Sequence, residues 1–458
     1  MSADTPTPIA DVSGPIVAGC GWAFGAPIGD LGARGYVMEE FILAGTAWRY
    51  RHAADRVGGA DGVWEAERAE PAPYRKRIYV VRPADAADFN GVLLLHWLNV
   101  SAGMDLGFPS DEETFRGYAW AGVSAQKIGL DGFPGLTKGL KAWDPDRYGS
   151  LHHPGDAYSY DIFAQAARLL RDGPTSDGPD PLDGVRPSTV VATGVSQSAI
   201  RLATYVNTAH PHDAIFDGFY LTVHVGMCAP LDEITLQEQM APAADGGFVA
   251  SCRIHDRGDV PILVLTTEFE ALYNHAAPQP DTDTYRHWQI AGGAHVHAKL
   301  SAEGRKIFRR DGVQFFLQPS DLNAVDWSYV GDGGLRWIVR WAREGKAPPR
   351  FPPIEIVAAA DGRPVLSRGP GGNVNGGIRL PEVAAATGVH LGAGKLPWLA
   401  GTGGVSQLFD AAEMARLHGD RRTFLSKWDA AVDDLVAVDL ALPGEGAVLK
   451  VRGRALWP

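Results

Sequence analysis

A serine between a strand-like run and a helix-like pattern constrains this chain more than any other stretch. The run Thr189–Thr193 is apolar and β-branched, and apolar residues recur at helical spacing from Ala199 to Val206. Between them stands Gly194-Val-Ser-Gln-Ser198. A strand that turns sharply into a helix needs small residues beside the turn and pushes the central side chain outward. The stretch therefore predicts a nucleophile elbow with Ser196 at its tip; the alternative is a buried turn that contains a serine by chance.

The composition and the net charge indicate which classes of binding partner to expect. With 458 residues, 45% hydrophobic and 21% charged, it has the size and balance of a soluble globular protein with a large core. Lys and Arg number 42 against 54 Asp and Glu, which leaves a net charge of −12. Nucleic acids and anionic membranes select basic surfaces, so we expect neither as a partner. The oligomeric state is left open.

The cysteines and the N-terminal segment indicate the compartment. Cys20, Cys228 and Cys252 are odd in number and form no CxxC pair, so neither a disulfide scaffold nor a zinc site is indicated. The first residues lack a basic start and an apolar stretch, so no signal peptide is visible. We therefore expect a cytoplasmic protein.

The order of strand-like and helix-like segments predicts the architecture. Apolar runs such as Gly91–His96 alternate with helical patterns such as Gly334–Glu344, which is typical of a mostly parallel, doubly wound α/β sheet. Residues 127–157 and 229–259 have a loop-like composition. An apolar stripe at helical spacing predicts a helix over 159–170, and Gly345 is predicted to follow the C-terminus of the helix at Gly334–Glu344. We expect three parts, namely a β-rich segment over 1–90, a core over 91–346 and an extension over 347–458, with both flanking parts packed on the core.

A serine becomes a nucleophile when a base accepts its proton and an acid orients that base. His295 follows the last apolar strand on a glycine loop and is preferred over His297 as the base. Glu270 is the preferred acid, three residues into the loop after the strand 261–267, and Glu268 is its competitor. The order serine, acid, histidine is the one found in α/β-hydrolase triads.

An oxyanion needs hydrogen-bond donors close to the serine. The backbone N–H of Gln197, directly after the serine, is the first candidate. The second is the N–H of Leu98 after the strand 91–96, with Asn99 as the runner-up. The side chains predicted to line the substrate pocket are Asn99, His153, Tyr158 and His224. No HExxH motif or carboxylate cluster accompanies the histidine pairs at 152–153 and 210–212, so no metal is expected.

Several segments together resemble a known family. They are His96–Val100, Gly122–Gln126, Trp143–Phe163, Gly194–Leu202, Gln279–Asp283 and Gly376–Pro381. In these segments the chain resembles the bacterial α/β-hydrolase domain family with a Gly-x-Ser-Gln-Ser elbow, from about residue 90 to the C-terminus. The resemblance implies an α/β-hydrolase fold and a serine hydrolase. The chain departs from it at Thr267-Glu-Phe-Glu270, where the family more often has Thr-Glu-Thr-Asp.

These observations predict a carboxylic ester hydrolase. Ser196 would attack an ester or lactone, His295 would transfer the proton, and Glu270 would orient His295, with no cofactor. One alternative is an acyltransferase that uses the same three residues. Another is a binding protein without catalytic activity on a hydrolase scaffold.

Overall fold

The computed structural model describes residues 6–53, 58–231, 251–313, 323–394 and 401–458. The chain divides into two compact units. The first comprises Met1–Ile262 with Ile338–Lys346, and the second comprises Leu263–Trp337 with Ala347–Pro458. The loop expected over 229–259 lies partly outside the described residues, at 232–250.

A β-sheet with both parallel and antiparallel strands organises the first unit. Its strands are β1 (Asp11–Ser13), β2 (Tyr36–His52), β3 (Ala66–Pro83), β4 (Val92–Trp97), β5 (Ala119–Val123), β6 (Thr189–Val195) and β7 (Gly218–Thr222). Their order is β1-β2-β3-β5-β4-β6-β7. Strands β1, β2, β3 and β5 pair antiparallel, whereas β4 pairs parallel with β5 and β6, and β6 pairs parallel with β7. The predicted β-rich start of the chain is therefore an antiparallel extension of a parallel sheet.

Burial explains why the parallel strands are apolar along their whole length. Every residue of β4, β5 and β7 is buried, as a strand covered on both faces requires. Parallel strands end at the same edge of a sheet, so the loops after β4 and β6 lie side by side. That arrangement brings the loop after Trp97 next to the turn after Val195.

Helices connect these strands. They are α1 (Lys127–Asp131), α2 (Leu140–Trp143), α3 (Pro145–Tyr148), α4 (Ser159–Asp172), α5 (Gln197–Thr208) and α6 (His210–Asp213). Helix α4 confirms the apolar stripe predicted over 159–170. The prediction of a pure loop over 127–157 was wrong, because α1, α2 and α3 form within it. Such short helices are stabilised by packing and capping rather than by a long periodic pattern.

The second unit contains the last strands and the C-terminal part. Its elements include β8 (Ile262–Thr267), α7 (Glu268–Asn274), β9 (Tyr285–Ile290) and α8 (Ala298–Arg310). Helix α9 (Ser328–Glu344) ends at Gly345, whose φ of 68° suits the C-terminal position predicted for it. Strands β8 and β9 are neighbours.

The C-terminal extension has its own apolar cluster. Its elements are β10 (Ile356–Ala358), β11 (Pro364–Leu366), α10 (Pro381–Ala384), β12 (Gly388–Leu391), β13 (Val405–Leu408), α11 (Ala411–His418), α12 (Arg421–Ala437) and α13 (Pro443–Arg454). Phe424, Trp428 and Leu449 are buried together in it. The division into 1–90, 91–346 and 347–458 stays a prediction. Within the described ranges, no helix is long and apolar enough to span a membrane.

Candidate active site

Ser196 occupies a strained turn between a strand and a helix. Strand β6 ends at Val195 and helix α5 begins at Gln197, so Ser196 alone makes the turn. Its φ of 57° and ψ of −118° lie in a region that favours glycine. The N–H of Ser196 donates to the carbonyl of Thr222 over 2.9 Å, which holds the turn against the end of β7. This is the backbone predicted for a nucleophile elbow.

Close backbone approach explains the small residues on both sides of the turn. A Cβ atom added at Gly194 would lie 2.9 Å from the carbonyl oxygen of Ser198. Ser198 itself is tolerated where a second glycine is more usual, because its hydroxyl folds back on the turn. It accepts from the N–H of Val195 over 2.9 Å and donates to the Val195 carbonyl over 3.0 Å.

The side chain of Gln197 forms a buried amide pair. Its Nε2 donates to Oε1 of Gln126 over 2.6 Å, and its Oε1 accepts from Nε2 of Gln126 over 3.1 Å. The same Oε1 accepts from the N–H of Val100 over 3.2 Å. The backbone N–H of Gln197 lies in the first turn of α5, where no carbonyl of the helix can accept from it. Gln126 was not singled out by sequence reasoning, since no pattern connects positions so far apart.

The N–H of Leu98, in the loop after β4, was predicted to be the second oxyanion donor, and this prediction was wrong. The N–H of Leu98 donates to the carbonyl of Val123 over 3.2 Å, and the N–H of Asn99 donates to that of Leu106 over 2.9 Å. In this arrangement Leu98 continues the hydrogen bonding of the sheet, so its N–H is not directed at an oxyanion. The side chain of Asn99 is also engaged, because its Nδ2 donates to the carbonyl of Val195 over 2.9 Å. Asn99 therefore connects this loop to the elbow.

Two histidines predicted in the pocket are buried structural residues instead. His153 donates from Nε2 to the carbonyl of Ala125 over 2.7 Å and accepts at Nδ1 from the N–H of Gly155. Burial and the nearby Lys76 lower the pKa of His153. His224 is held in the same way by Met227 and its own loop, and it is 3% exposed.

Both ring nitrogens of His153 and of His224 already bond to backbone groups, which leaves no ring nitrogen of either residue to bind a substrate. Tyr158 is only partly buried at the start of α4, and its place in a pocket stays a prediction.

In the second unit, the structure brings Glu270 and His295 together. Nδ1 of His295 lies 2.5 Å from Oε1 of Glu270, whose carboxyl group is completely buried. A carboxylate only accepts hydrogen bonds, so the imidazole carries its proton on Nδ1. Nε2 is then the nitrogen that can accept a proton, which is the tautomer that a general base requires.

The second oxygen of Glu270 anchors the carboxyl group. Oε2 accepts from the N–H of Thr267 over 2.7 Å and from its hydroxyl over 2.8 Å, which completes a capping box at the start of α7. Glu270 therefore lies in the first turn of a helix, and its predicted position in a loop was wrong. A side chain held at both oxygens has little freedom, so it presents one fixed geometry to His295.

The two competing residues have other partners. Oε1 of Glu268 lies 2.5 Å from Nη2 of Arg368, and burial raises the pKa of Glu268 even though Arg368 opposes the rise. His297 accepts from the N–H of Leu300 over 3.3 Å as the cap of α8. Burial lowers the pKa of His297 to about 4. Both residues are structural in this arrangement, and neither contacts the Glu270–His295 pair in the hydrogen bonds described.

In the ranges that the structure describes, no three side chains of His, Cys, Asp or Glu converge as a metal site would require. The pair of histidines at 152 and 153 is divided, because His152 is exposed while His153 is buried.

Comparison with solved structures finds hydrolases at low similarity. A glucuronoyl esterase from Solibacter usitatus is 12% identical, with a TM-score of 0.29, and the match covers 62% of this chain and 81% of that one. A hyperthermophilic esterase from the archaeon Pyrobaculum calidifontis is 14% identical, with a TM-score of 0.27 and coverage of 53% and 80%. Oligopeptidase B from Leishmania major is 14% identical, with a TM-score of 0.32 and coverage of 61% and 36%. Similarities of this size say nothing about the substrate.

The family comparison is decisive. No curated protein matches the sequence. A family model described as "Alpha/beta hydrolase domain" matches residues 6–450, which is almost the whole chain. The match includes the β-rich start and most of the C-terminal extension as well as the central sheet. The protein therefore belongs to the alpha/beta hydrolase domain family.

Proposed function

We propose that the protein is a serine hydrolase that cleaves a carboxylic ester or a lactone through an acyl-enzyme on Ser196. The observation that carries the proposal is the 2.5 Å contact between Nδ1 of His295 and the buried carboxylate of Glu270. A histidine held in this tautomer by a carboxylate is the general base of serine hydrolases.

The turn at Ser196 supports the same conclusion independently. A non-glycine residue at φ 57° is held in place by its surroundings at an energetic cost of about 1–3 kcal/mol, and such strain is concentrated at functional positions. The chain order Ser196, Glu270, His295 is also the order of the α/β-hydrolase triad.

The proposed reaction follows from these groups. Oγ of Ser196 attacks the acyl carbonyl while its proton passes to Nε2 of His295. The N–H of Gln197 donates to the oxyanion of the tetrahedral intermediate. His295 then protonates the leaving alcohol, and the C–O bond of the ester breaks. Water repeats the sequence on the acyl-enzyme, which releases the acid and restores Ser196.

Covalent labelling with a fluorophosphonate tests the nucleophile directly. We expect one adduct, located on Ser196 by peptide mapping, and none in Ser196→Ala. A panel of p-nitrophenyl esters of increasing acyl length would then define the acyl preference. A wild-type chain that takes no label and hydrolyses no ester would contradict the proposal and favour the non-catalytic alternative.

Hydrolysis and acyl transfer differ in the molecule that accepts the acyl group, which is water in hydrolysis and an alcohol in acyl transfer. Turnover in the presence of a simple alcohol yields only free acid if water is the acceptor, and a new ester if the enzyme is an acyltransferase. We expect free acid. A small-molecule substrate and a cytoplasmic location remain parts of the proposal.

A further inference from the structure

A buried pair of side-chain amides joins the elbow to two neighbouring loops. We infer that Gln126 is a positioning residue, which acts through Gln197 to orient the N–H that stabilises the oxyanion. Gln126, Gln197 and Val100 are 1%, 3% and 2% exposed, so water does not compete for these hydrogen bonds. The inference rests on the proposed function.

The amide pair has only one orientation. Oε1 of Gln197 accepts from Nε2 of Gln126 and from the N–H of Val100, which occupies both of its lone pairs. A rotation of the Gln197 amide by 180° would place its NH₂ group against the N–H of Val100. Buried donors without an acceptor cost about 1–3 kcal/mol each, so the rotated state is excluded.

Gln126 is itself held in place. It follows the end of β5, and its carbonyl accepts from Nζ of the buried Lys76 over 3.2 Å. It directly precedes helix α1. The main chain at Gln126 is therefore held next to the sheet, and its side-chain amide reaches Gln197 from outside the elbow.

The loop after β4 is attached on both sides of the serine. Asn99 donates to the carbonyl of Val195, one residue before Ser196, and Val100 donates to the side chain of Gln197, one residue after it. The strained turn therefore has a fixed contact on each side. Without Gln126, the contact at Gln197 loses its reciprocal partner, and the first peptide of α5 gains freedom to tilt.

This freedom affects the transition state more than the bound substrate. The N–H of Gln197 interacts most strongly with the charge that develops on the oxyanion, and a small misplacement of such a donor costs about 10²-fold in rate. We therefore expect Gln126→Met to lower kcat by roughly 30- to 100-fold while KM changes less than about threefold. The Ki of an arylboronic acid, which forms a tetrahedral adduct on the serine, should rise by a similar factor.

A matched control separates positioning from general destabilisation. Gln165 is also 1% exposed and bonds to Tyr74, Thr46 and Asp161, none of which belongs to the elbow. Gln165→Met removes at least as many buried hydrogen bonds. We expect it to lower the thermal midpoint while kcat and the boronate Ki stay within about twofold of wild type.

A double-mutant cycle tests the route through Gln197. If Gln126 acts only through that side chain, Gln126→Met combined with Gln197→Met should be no slower than the slower single variant. Should Gln126→Met fail to fold, Gln126→Leu also removes both hydrogen bonds to Gln197 with a slightly smaller apolar side chain, and the same loss of kcat is expected from it.

Two results would overturn the inference while leaving the hydrolase intact. One is a wild-type kcat in the folded Gln126 variants, and the other is losses that add fully in the double variant. Failure of the proposed function has a different signature, because the wild-type chain would then neither react with a fluorophosphonate nor turn over an ester.

Discussion

Glu270 holds His295 with one carboxylate oxygen and its own helix with the other. Oε1 lies 2.5 Å from Nδ1 of the histidine, and Oε2 accepts two hydrogen bonds from Thr267. The hydrogen bonds from Thr267 cap the helix and also fix the carboxylate. They thereby hold Oε1 in the position that sets the tautomer of the imidazole. Any change at Glu270 will affect a helix start and the proposed base together.

Glu270→Gln should lower kcat by several orders of magnitude with a small loss of stability. The amide keeps an oxygen for Thr267, so the cap costs no more than about 1 kcal/mol. The substitution also removes the charge that stabilises the imidazolium. The equivalent change in a similar triad lowers kcat by about 10⁴-fold. Steady-state kinetics and urea unfolding measure the two effects separately.

Glu268→Gln is the matched control, because Glu268 is the same residue type in the same helical turn. Its partner is Arg368, so we expect kcat within about tenfold of wild type. A severe defect in this variant together with a mild one in Glu270→Gln would reverse the assignment.

Ser196→Ala should abolish turnover, with a loss in kcat of about 10⁴-fold or more, and should keep the fold. Ser196→Gly should be equally inactive yet more stable than Ser196→Ala by about 1–3 kcal/mol, because glycine adopts φ 57° without strain. Thermal unfolding of both variants checks this order. A Ser196→Ala protein with near wild-type turnover would refute the proposed nucleophile.

His297→Asn should reduce the decrease in the free energy of unfolding that the wild type shows as the pH falls. The pKa of His297 is about 4 in the folded protein and lies near 6.5 in an unfolded chain, so the unfolded chain binds more protons between these values. Stability from this site is fully present above pH 6.5 and is lost as the pH falls towards 4. Asparagine can still accept from the N–H of Leu300 but does not titrate.

Urea unfolding at pH 7 and pH 4.5 measures the effect, which we expect to be up to about 3 kcal/mol. Activity at pH 7.5 should change less than about twofold in this variant, whereas His295→Ala should be inactive. Equal acid sensitivity of His297→Asn and the wild type would contradict the assignment of His297 as a buried, neutral cap.

Gly194→Ala should damage both the elbow and the fold. The new Cβ would lie 2.9 Å from the carbonyl oxygen of Ser198, and overpacking of this kind costs about 1–3 kcal/mol. Gly444→Ala is the control, because a Cβ there meets nothing within 4 Å and alanine favours the helix α13. We expect lower stability and activity in the first variant and equal or higher stability in the second.

EDTA should leave ester hydrolysis unchanged. In the proposed mechanism His295 activates Ser196 and later water, so no metal-bound nucleophile is needed. The assay compares dialysed enzyme with and without the chelator. Loss of activity that Zn²⁺ or Mn²⁺ restores would contradict a serine mechanism.

Local pattern predicted most of the regular elements. The helix expected over 159–170 is Ser159–Asp172, and the strand expected over 261–267 is Ile262–Thr267. Such elements are determined by apolar residues that repeat within one segment, and this repeat is present in the sequence. The short helices over 127–148 have no comparable apolar repeat. They depend on contacts with distant parts of the chain, which the local sequence does not show.

The sequence alone determined the order in which the proposed nucleophile, acid and base follow one another along the chain. A serine between a strand and a helix, followed by an acid and a histidine after later strands, is a one-dimensional pattern. It requires no knowledge of distances. The order fits Glu268 and Glu270 equally, and Glu270 was preferred for its place three residues past the strand, which the structure shows to be the first turn of a helix. The family match over residues 6–450 agrees with the fold that this order predicted.

Only the tertiary structure decided which polar groups have partners. His153 and His224 resembled pocket residues until both ring nitrogens of each proved to be engaged by backbone groups. Gln126 and Gln197 are 71 positions apart and carry no joint signal. A buried hydrogen bond depends on direction and distance in space, and burial makes its loss costly. Sequence spacing determines neither of these, so the partners of a buried polar group become known only when the chain has folded.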